Sequence, residues 1–246
     1  MPGNAHHATL TDRRLLAREC FEYRFALDEE DAGLRWRGGQ FISLNVGQAE
    51  DGSAILRSYS LASRPAQRPT GGAVTLVVKL LPAGPASDWF RAAAPGDRVR
   101  FTGPMGFFGL DLAPHAGDVV LCATGTGVAP FLPMIDELLE RDEAGRVALL
   151  WGLRDEGDRF YGAELDGRVA RSAGRLSVTT TLSRPGDTYR GPRGRITPLC
   201  FDLLPALSRP TFYLCGNGAM IREVKAGLVE RGVDRKRQIR AEAFFD

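Results

Sequence analysis

The chain has 246 residues, of which 43% are hydrophobic and 29 are glycine, a length and composition that fit a globular protein of two ordinary domains. Its 32 basic and 30 acidic side chains leave a formal net charge of +2, so no strong overall field favours nucleic acid or an anionic membrane. We therefore expect neither a nucleic-acid nor a membrane role.

The cysteines are spaced too widely for a local metal motif. Cys20, Cys122, Cys200 and Cys215 form no CxxC pair, so the usual spacing of a zinc site or an iron–sulfur cluster is missing and we expect no bound metal. Cysteines inside apolar runs indicate buried thiols in a reducing compartment. No apolar segment marks the N-terminus, so we expect a soluble, cytoplasmic protein. We also expect a monomer.

The first half of the chain carries short segments in which every second residue is apolar, as in half-buried strands. These segments are residues 20–27, 40–46 and 74–81. A Gly71-Gly72 pair before the last segment predicts a hairpin connection. Many short strands between Gly and Pro turns predict an antiparallel β-barrel domain over residues 1–114.

The second half alternates apolar strand-like runs with segments of helical length. The predicted strands are residues 119–123, 147–152, 176–182 and 211–215, and the predicted helices are residues 128–141 and 219–231. This alternation predicts an α/β domain with a parallel, nucleotide-binding type of sheet over residues 115–246. We expect the two domains to pack directly, with a boundary near residues 113–118.

Two segments of the first half suit a phosphate-bearing heterocycle. In Arg57-Ser58-Tyr59-Ser60, an arginine fork can hold a pyrophosphate and a tyrosine ring can stack on a flat ring. The small-residue turn at residues 84–87 precedes a short helix whose free N–H groups can receive phosphate oxygens. An exposed barrel edge and an ordinary turn remain the alternatives.

The strongest single signal lies at residues 119–131, where a buried strand runs into Gly125-Thr126-Gly127 and then into a helix. The two glycines let the backbone approach a dinucleotide pyrophosphate, and the helix N-terminus favours the anion. The spacing is not GxGxxG, so this is not the ordinary dinucleotide fingerprint, and a structural turn is the alternative.

The order of five motifs resembles the ferredoxin–NADP reductase family over nearly the whole chain. The motifs are Arg57-Ser-Tyr-Ser, Gly103-Pro-Met-Gly, Gly125-Thr-Gly-Val-Ala-Pro-Phe, Cys215-Gly-Asn-Gly and Glu242-Ala-Phe. The resemblance implies FAD, NADP(H) and a one-electron carrier, ferredoxin or flavodoxin, with hydride transfer to flavin N5. It also implies that the C-terminal segment returns to the flavin.

Carried over by this resemblance, the site residues fall into three sets. FAD would bind Arg57, Ser58, Tyr59, Ser60, Val77, Lys79, Gly84, Ala86, Ser87, Thr126 and Phe244. NADP would bind Gly125, Thr126, Gly127, Arg154, Ser183, Arg184, Arg195, Cys215 and Gly216. The catalytic positions would be Ser60, Cys215, Glu242 and Phe244.

Three of these assignments depend on the resemblance alone. Without it, Cys215 would be a buried structural thiol and Glu242 a solvated charge. Phe244 is assigned to the flavin because it stands two places after Glu242, although this chain continues with Phe245 and Asp246. Where the family often has proline, this chain has Ser58 and Gly218.

The choice of nicotinamide nucleotide depends on arginines. Ser183-Arg184 follows a predicted strand, and Arg195 stands 11 positions after Arg184, so two guanidinium groups could grip a 2′-phosphate. Two charged hydrogen bonds would supply about 3–6 kcal/mol, or roughly 10² to 10⁴ in preference for NADP over NAD. A solvated basic loop is the alternative.

The sequence is also compatible with other functions. A close one is the reductase component of an oxygenase, or a reductase of free flavin. One of another class is a nucleotide-binding sensor or electron-transfer subunit without turnover. A basic tract near the C-terminus could face an acidic carrier, although a solvated helix end explains it equally well. The tract comprises Arg231, Arg235, Lys236, Arg237 and Arg240.

Overall fold

A computed structural model of the chain describes residues 5–64, 72–110, 117–141 and 145–245. The chain divides into two compact units. The first comprises Met1–Gly109 and Leu132–Met134, and the second comprises Leu110–Phe131 and Ile135–Asp246. The boundary expected near residues 113–118 falls mainly outside the described residues and stays a prediction.

The first unit is a six-stranded antiparallel sheet. Its strands are β1 (Ala5–Ala17), β2 (Cys20–Leu27), β3 (Phe41–Gln48), β4 (Ala54–Ser60), β5 (Ala73–Lys79) and β6 (Arg98–Met105). The order is β4-β3-β6-β1-β2-β5, and a bridge between Leu61 and Leu76 brings the chain after β4 next to β5. The ends of the order therefore meet, which confirms the predicted antiparallel barrel.

The barrel core comes from the inward positions of these strands. Leu10, Phe25, Leu44, Leu76 and Phe101 are all buried in one apolar cluster. Full burial of such a side chain stabilises the fold by about 1.5–3 kcal/mol. The alternation seen in the sequence is therefore the inward and outward alternation of the barrel wall.

One expectation for this unit stays untested, and one strand was not expected. The hairpin connection expected at Gly71-Gly72 stays a prediction, because Gly71 lies outside the described residues; β5 pairs along its whole length with β2 and meets the chain after β4 at the antiparallel bridge between Leu61 and Leu76. Strand β1 was not expected, because register shifts between Leu10 and Asp12 and between Leu15 and Ala17 break its alternation.

One helix, α1 (Pro85–Ala92), packs on the barrel. Its Phe90 is completely buried, and the Tyr23 hydroxyl donates to the Phe90 carbonyl at 2.8 Å. The two rings also pack, with centroids 4.5 Å apart. These contacts hold α1, which begins within residues 84–87, against the barrel.

The second unit is a five-stranded, wholly parallel sheet in the order β11-β10-β7-β8-β9. Its strands are β7 (Val119–Thr124), β8 (Val147–Leu153), β9 (Leu176–Leu182), β10 (Thr211–Asn217) and β11 (Ile239–Phe245). The helices are α2 (Phe131–Leu139), α3 (Gly162–Arg171), α4 (Thr197–Leu203), α5 (Gly218–Glu230) and α6 (Arg235–Gln238). The predicted α/β domain is confirmed.

The sequence explains why this sheet is parallel. Strand β7 is a continuous apolar run whose first five residues are buried, as expected for a strand covered on both faces. In a parallel sheet the carboxyl ends of all strands meet at one edge, where ligands of open α/β folds bind. The loops after β7, β8, β9 and β10 therefore share that edge.

The helix expected over residues 128–141 begins later than predicted. A 3-10 turn, Gly125–Val128, follows β7, and α2 starts only after Pro130. Proline is tolerated at a helix start, where no intrahelical donor is needed. The candidate nucleotide loop is consequently a tight turn of its own.

Candidate functional site

The Arg57–Ser60 segment forms the end of β4 and pairs with β3, with Arg57 opposite Leu44 and Tyr59 opposite Ile42. Arg57 and Ser58 are exposed, whereas Ser60 is buried. The Arg57 guanidinium donates to the Leu56 carbonyl at 2.8 Å and, within the described residues, meets no carboxylate. It is therefore available to a ligand anion.

Tyr59 stands half-buried against the barrel core. Its ring makes an edge contact with Phe90, the centroids being 5.2 Å apart. Burial raises the pKa of the Tyr59 hydroxyl to about 12, although the nearby Arg57 charge opposes the shift. The phenol is therefore uncharged at neutral pH, and its ring has a fixed orientation.

The 84–87 turn forms the start of α1. Gly84 has φ of 129°, a conformation that only glycine adopts readily, and a side chain there would meet no atom within 4 Å. No side chain caps the helix, and Pro85 occupies its first turn. The N–H groups of Ala86 and Ser87 thus stand at a helix N-terminus suited to phosphate.

The remaining flavin candidates of this unit lie on or near these elements. The Ser87 hydroxyl accepts a hydrogen bond from the Leu81 N–H at 2.9 Å, so its side chain fixes the turn. Val77 is buried in β5. The Lys79 amine donates to the Arg18 carbonyl in the turn between β1 and β2. Contact of Val77 and Lys79 with FAD stays a prediction.

In the second unit, the turn after β7 packs tightly on β10. A Cβ at Gly127 would lie 2.4 Å from the Cys215 carbonyl oxygen, and a Cβ at Gly216 would lie 2.3 Å from Thr124 Oγ1. At Gly125, with φ of 54°, a Cβ would meet no atom within 4 Å. Glycine is therefore needed at 127 and 216 for close packing and at 125 for the positive φ.

Three residues that sequence reasoning missed hold this turn in place. Trp151 Nε1 donates to the Gly125 carbonyl at 2.9 Å, and Thr124 Oγ1 accepts from the Asn217 N–H at 2.8 Å. Asn217 also caps α5, because its side chain accepts from the Met220 N–H at 3.1 Å. An asparagine before a helical run was the one local signal available.

Cys215 and Glu242 are neighbours across the parallel pair β10–β11. Cys215 is completely buried, and Glu242 is half-buried. Burial, followed by the adjacent Glu242 charge, raises the pKa of the Cys215 thiol well above its usual value. The thiol is therefore neutral, which suits a packing role better than a nucleophilic one.

Phe244 occupies a bulge in β11. Gly216 pairs with Ala243 and Asn217 pairs with Phe245, so Phe244 is the extra residue between them. A bulge redirects a side chain, and Phe244 remains 36% exposed. Thr126, the other flavin candidate of this unit, lies half-buried in the Gly125–Val128 turn.

The arginine-bearing loops after β8 and β9 are joined through their backbones. The Ser183 N–H donates to the Leu153 carbonyl at 3.0 Å, and the Arg184 N–H donates to the Arg154 carbonyl at 2.7 Å. Arg154, Ser183 and Arg184 are exposed. The sheet edge therefore presents Arg154 and Ser183-Arg184 side by side.

Arg195 is held more weakly. It follows Gly194, and its Nη1 lies 3.8 Å from Glu223 Oε2, with its side chain 78% exposed. Such an exposed pair contributes about 0–1 kcal/mol, so a phosphate could displace it. Over the described ranges, no group of His, Cys, Asp or Glu is arranged for a metal, and no helix has the length and hydropathy to span a membrane.

Two family models together match most of the chain. Residues 7–109 match the oxidoreductase FAD-binding domain, and residues 121–226 match the oxidoreductase NAD-binding domain. The chain is 32% identical over 210 residues to ferredoxin–NADP reductase B of Sorangium cellulosum, covering 82% of each chain. The chain belongs to the ferredoxin reductase-like family of flavin- and nicotinamide-dependent oxidoreductases, which confirms the resemblance.

Other relatives differ in their electron carrier. NADH-cytochrome b5 reductase 1 of Eremothecium gossypii is 30% identical over 237 residues, covering 94% of this chain and 80% of the relative. The crystal structure of the cytochrome P450 reductase GcoB of Amycolatopsis superposes with a TM-score of 0.85 at 27% identity, covering 99% of this chain and 70% of that chain. The protein is thus an FAD- and NAD(P)-binding oxidoreductase.

The residues present fit both groups. Open space at Gly84, the uncapped start of α1 and the available Arg57 guanidinium suit a dinucleotide phosphate in the first unit. Open space at Gly125 and the exposed Arg184 suit a second nucleotide in the other unit. The fit is one of charge, donors and space in each unit taken by itself.

Proposed function

We propose that this protein transfers electrons between NADP(H) and a one-electron carrier protein, ferredoxin or flavodoxin. The observation that carries the NADP part is the pair of joined loops with Arg154 on one and Ser183-Arg184 on the other. Arg184 has no side-chain partner within the described part of the chain. Its guanidinium is therefore free to bind a 2′-phosphate.

On the flavin side, the proposal assigns each residue a binding role. Arg57 and the N–H groups of Ala86 and Ser87 would hold the FAD pyrophosphate, while Tyr59 and Ser60 would lie beside the isoalloxazine. Phe244 would cover that ring, as the family resemblance implies. When bound, FAD supplies the conversion between two-electron and one-electron transfer.

On the nicotinamide side, this chain's residues would position the nucleotide and exclude water. Gly125, Thr126 and Gly127 would receive the pyrophosphate, and Cys215 and Gly216 would border the nicotinamide. The neutral Cys215 thiol adds bulk without a charge, and Glu242 supplies a carboxylate one strand away. Hydride transfer requires reacting atoms about 3–3.5 Å apart, so these residues would act through orientation.

Anaerobic stopped-flow spectroscopy tests the nucleotide preference. The flavin absorbance of the yellow protein should fall faster with NADPH than with NADH. Half-saturation of this reduction should need a concentration of NADPH that is lower than that of NADH by a factor of roughly 10² or more. Equal saturation by the two nucleotides would contradict the NADP assignment. A colourless protein without flavin would refute the proposal as a whole.

A second mixing step identifies the carrier. Reduced protein should be reoxidised by ferredoxin or flavodoxin, and the rate should fall as ionic strength rises if the tract Arg231–Arg240 guides an acidic partner. A rate independent of salt would remove that tract from the proposal.

The second candidate function is the reductase component of an oxygenase. It is favoured by the similarity to GcoB, a cytochrome P450 reductase, at 27% identity. The four cysteines do not have the spacing of a fused plant-type ferredoxin domain. Faster reoxidation by a cytochrome P450 than by ferredoxin or flavodoxin would favour this candidate over the first.

A further inference from the structure

The loop that carries Ser183 and Arg184 closes on itself at the sheet edge. The Leu182 N–H donates to the Pro192 carbonyl at 3.1 Å, and the Gly194 N–H donates to the Leu182 carbonyl at 2.8 Å. Residues 183–193 therefore leave the sheet and return to it at one point. A closed loop of this length is a compact unit held by its own side chains.

Arg193 holds the loop from inside. Its Nη2 donates to the carbonyl oxygens of Gly186 at 3.1 Å, Asp187 at 3.4 Å and Tyr189 at 3.0 Å. These carbonyls belong to the far part of the loop. The Arg193 guanidinium therefore holds the three carbonyl groups of the turn beyond Arg184 together. Because it makes these bonds, it is unavailable to a nucleotide.

Glu156 holds the loop from outside. It lies in the 3-10 turn Glu156–Asp158, which follows β8, and its Oε1 and Oε2 accept from the Gly186 N–H at 3.1 and 3.2 Å. Two residues earlier on each chain segment, Arg184 is bonded to Arg154 through the backbone at 2.7 Å. The two loops are thus fixed at two successive points.

This arrangement anchors Arg184 while leaving its guanidinium free. We infer that Glu156 is a positioning residue for NADP preference: its bond to Gly186 keeps the Arg184 backbone in register with Arg154, so the guanidinium is in place before a 2′-phosphate binds. The inference rests on the proposed role of Arg184. Preorganisation of this kind raises affinity by reducing the ordering that binding requires.

The charge of Glu156 and its hydrogen bond to Gly186 should have opposite effects on the binding of a 2′-phosphate. A carboxylate near a phosphate site repels the phosphate, so removal of the charge alone should strengthen binding. Removal of the bond should weaken it. The two contributions therefore predict opposite signs, and variants that separate them give a decisive comparison.

Calorimetric titration with 2′-phospho-AMP and with AMP provides that comparison without any turnover. Glu156→Asp keeps the charge but shortens the side chain, and we expect it to weaken 2′-phospho-AMP binding about three- to tenfold with AMP unchanged. Glu156→Gln keeps one acceptor oxygen without the charge and should bind 2′-phospho-AMP at least as tightly as the parent protein.

Two further variants complete the design. Asp187→Ala removes one negative charge from the same loop. The Asp187 side chain has no partner in the part of the chain described, so this substitution should not weaken the binding of 2′-phospho-AMP. Arg184→Ala should weaken it strongly. The KM for NADPH, measured with ferricyanide as acceptor, should rise in Glu156→Asp by the factor seen in the titration, with kcat unchanged.

The outcomes separate this inference from the proposed function. If Arg184→Ala weakens 2′-phospho-AMP selectively while Glu156→Asp binds like the parent, the positioning role is wrong and the NADP assignment stands. If Arg184→Ala has no selective effect, both are wrong. Weaker 2′-phospho-AMP binding in Glu156→Gln than in the parent would contradict the inference, because that variant keeps an acceptor for the Gly186 N–H and lacks the repelling charge.

Discussion

Gly84 in the first unit and Gly127 in the second stand at candidate phosphate sites, but glycine is required at each for a different reason. At Gly84 a side chain would meet open space, yet φ is 129°. At Gly127 φ is ordinary, yet a Cβ would lie 2.4 Å from the Cys215 carbonyl oxygen. The first site depends on backbone conformation, and the second depends on close packing between strands.

The difference extends to the whole of each unit. The barrel offers its anion donors at the start of one helix and on one exposed arginine, which a ligand can reach without moving the core. The parallel sheet builds its site from buried neighbours, among them Cys215, and from loops tied together by their backbones. Substitutions should therefore impair binding first in the barrel and stability first in the sheet.

The largest expected effect is that of Gly127→Ala. Its new methyl group overlaps backbone that cannot rotate away, so the second unit should lose about 3 kcal/mol of unfolding free energy. Urea denaturation, with hydrogen exchange to locate the change, measures this loss. Gly167→Ala is the matched control: Gly167 is an exposed position of α3 with no atom in the way, and alanine there should stabilise by up to about 1 kcal/mol.

Gly84→Ala tests the other side of the comparison. The backbone strain should amount to about 1–2 kcal/mol, less than at Gly127, because nothing collides with the methyl group. The fraction of bound FAD, read from the absorbance ratio of the purified protein, should nevertheless fall more than in Gly127→Ala. The reverse ranking of FAD content would contradict the division between conformation and packing.

Sequence alone anticipated those elements whose pattern is local. Strands β2 and β9 match their predicted bounds because alternation or a short apolar run is visible without knowledge of partners. Strand β6 was missed because Gly103 and Pro104 interrupt it, and β11 was missed because it is an edge strand with mostly exposed side chains.

The candidate site was predictable only in part, for the same reason. Glycine turns and arginine pairs are local signals. The neighbouring positions of Cys215 and Glu242, by contrast, follow from the register of two parallel strands joined by a helical connection. Glu156 and Trp151 act through hydrogen bonds to backbone atoms 26 or more residues away, and no pattern of residue types encodes those bonds.

Arg184→Ala tests nucleotide binding by the second unit. Loss of one charged hydrogen bond of about 1.5–3 kcal/mol should raise the KM for NADPH roughly 10- to 150-fold and leave that for NADH nearly unchanged. Arg195→Ala should raise the KM for NADPH by a smaller factor, since the Arg195 side chain is strongly exposed and already lies beside the Glu223 carboxylate. Steady-state kinetics with both nucleotides measure the pair, and equal effects of either substitution on NADPH and NADH would sink the assignment.

Alkaline pH should weaken the second unit. Burial raises the pKa of Cys215, and the bond to Cys200, 3.0 Å away, together with burial raises that of Cys122. Each unfolded thiol loses its proton near pH 8.5 while the folded one keeps it, so unfolding free energy should fall by up to about 1.4 kcal/mol per pH unit per thiol above that pH. Denaturation at pH 8 to 10 should show a shallower slope in Cys215→Ala and an unchanged slope in Gly167→Ala.

Acid should weaken the first unit by a smaller amount. Burial alone would raise the pKa of Asp31, but its hydrogen bonds with His6, at 2.5 Å, and with the His7 N–H, at 2.9 Å, hold that pKa below the usual value. The resulting stability is present above about pH 4 and is lost as pH falls through the folded pKa.

Asp31→Asn should therefore lower unfolding free energy by about 1 kcal/mol at pH 7 and make it less dependent on pH below 4, as measured by urea denaturation. Because Asp31 ties β1 to the segment after β2, exchange protection should fall in β1 and remain unchanged in β7. Equal loss in both strands would contradict a local role of Asp31.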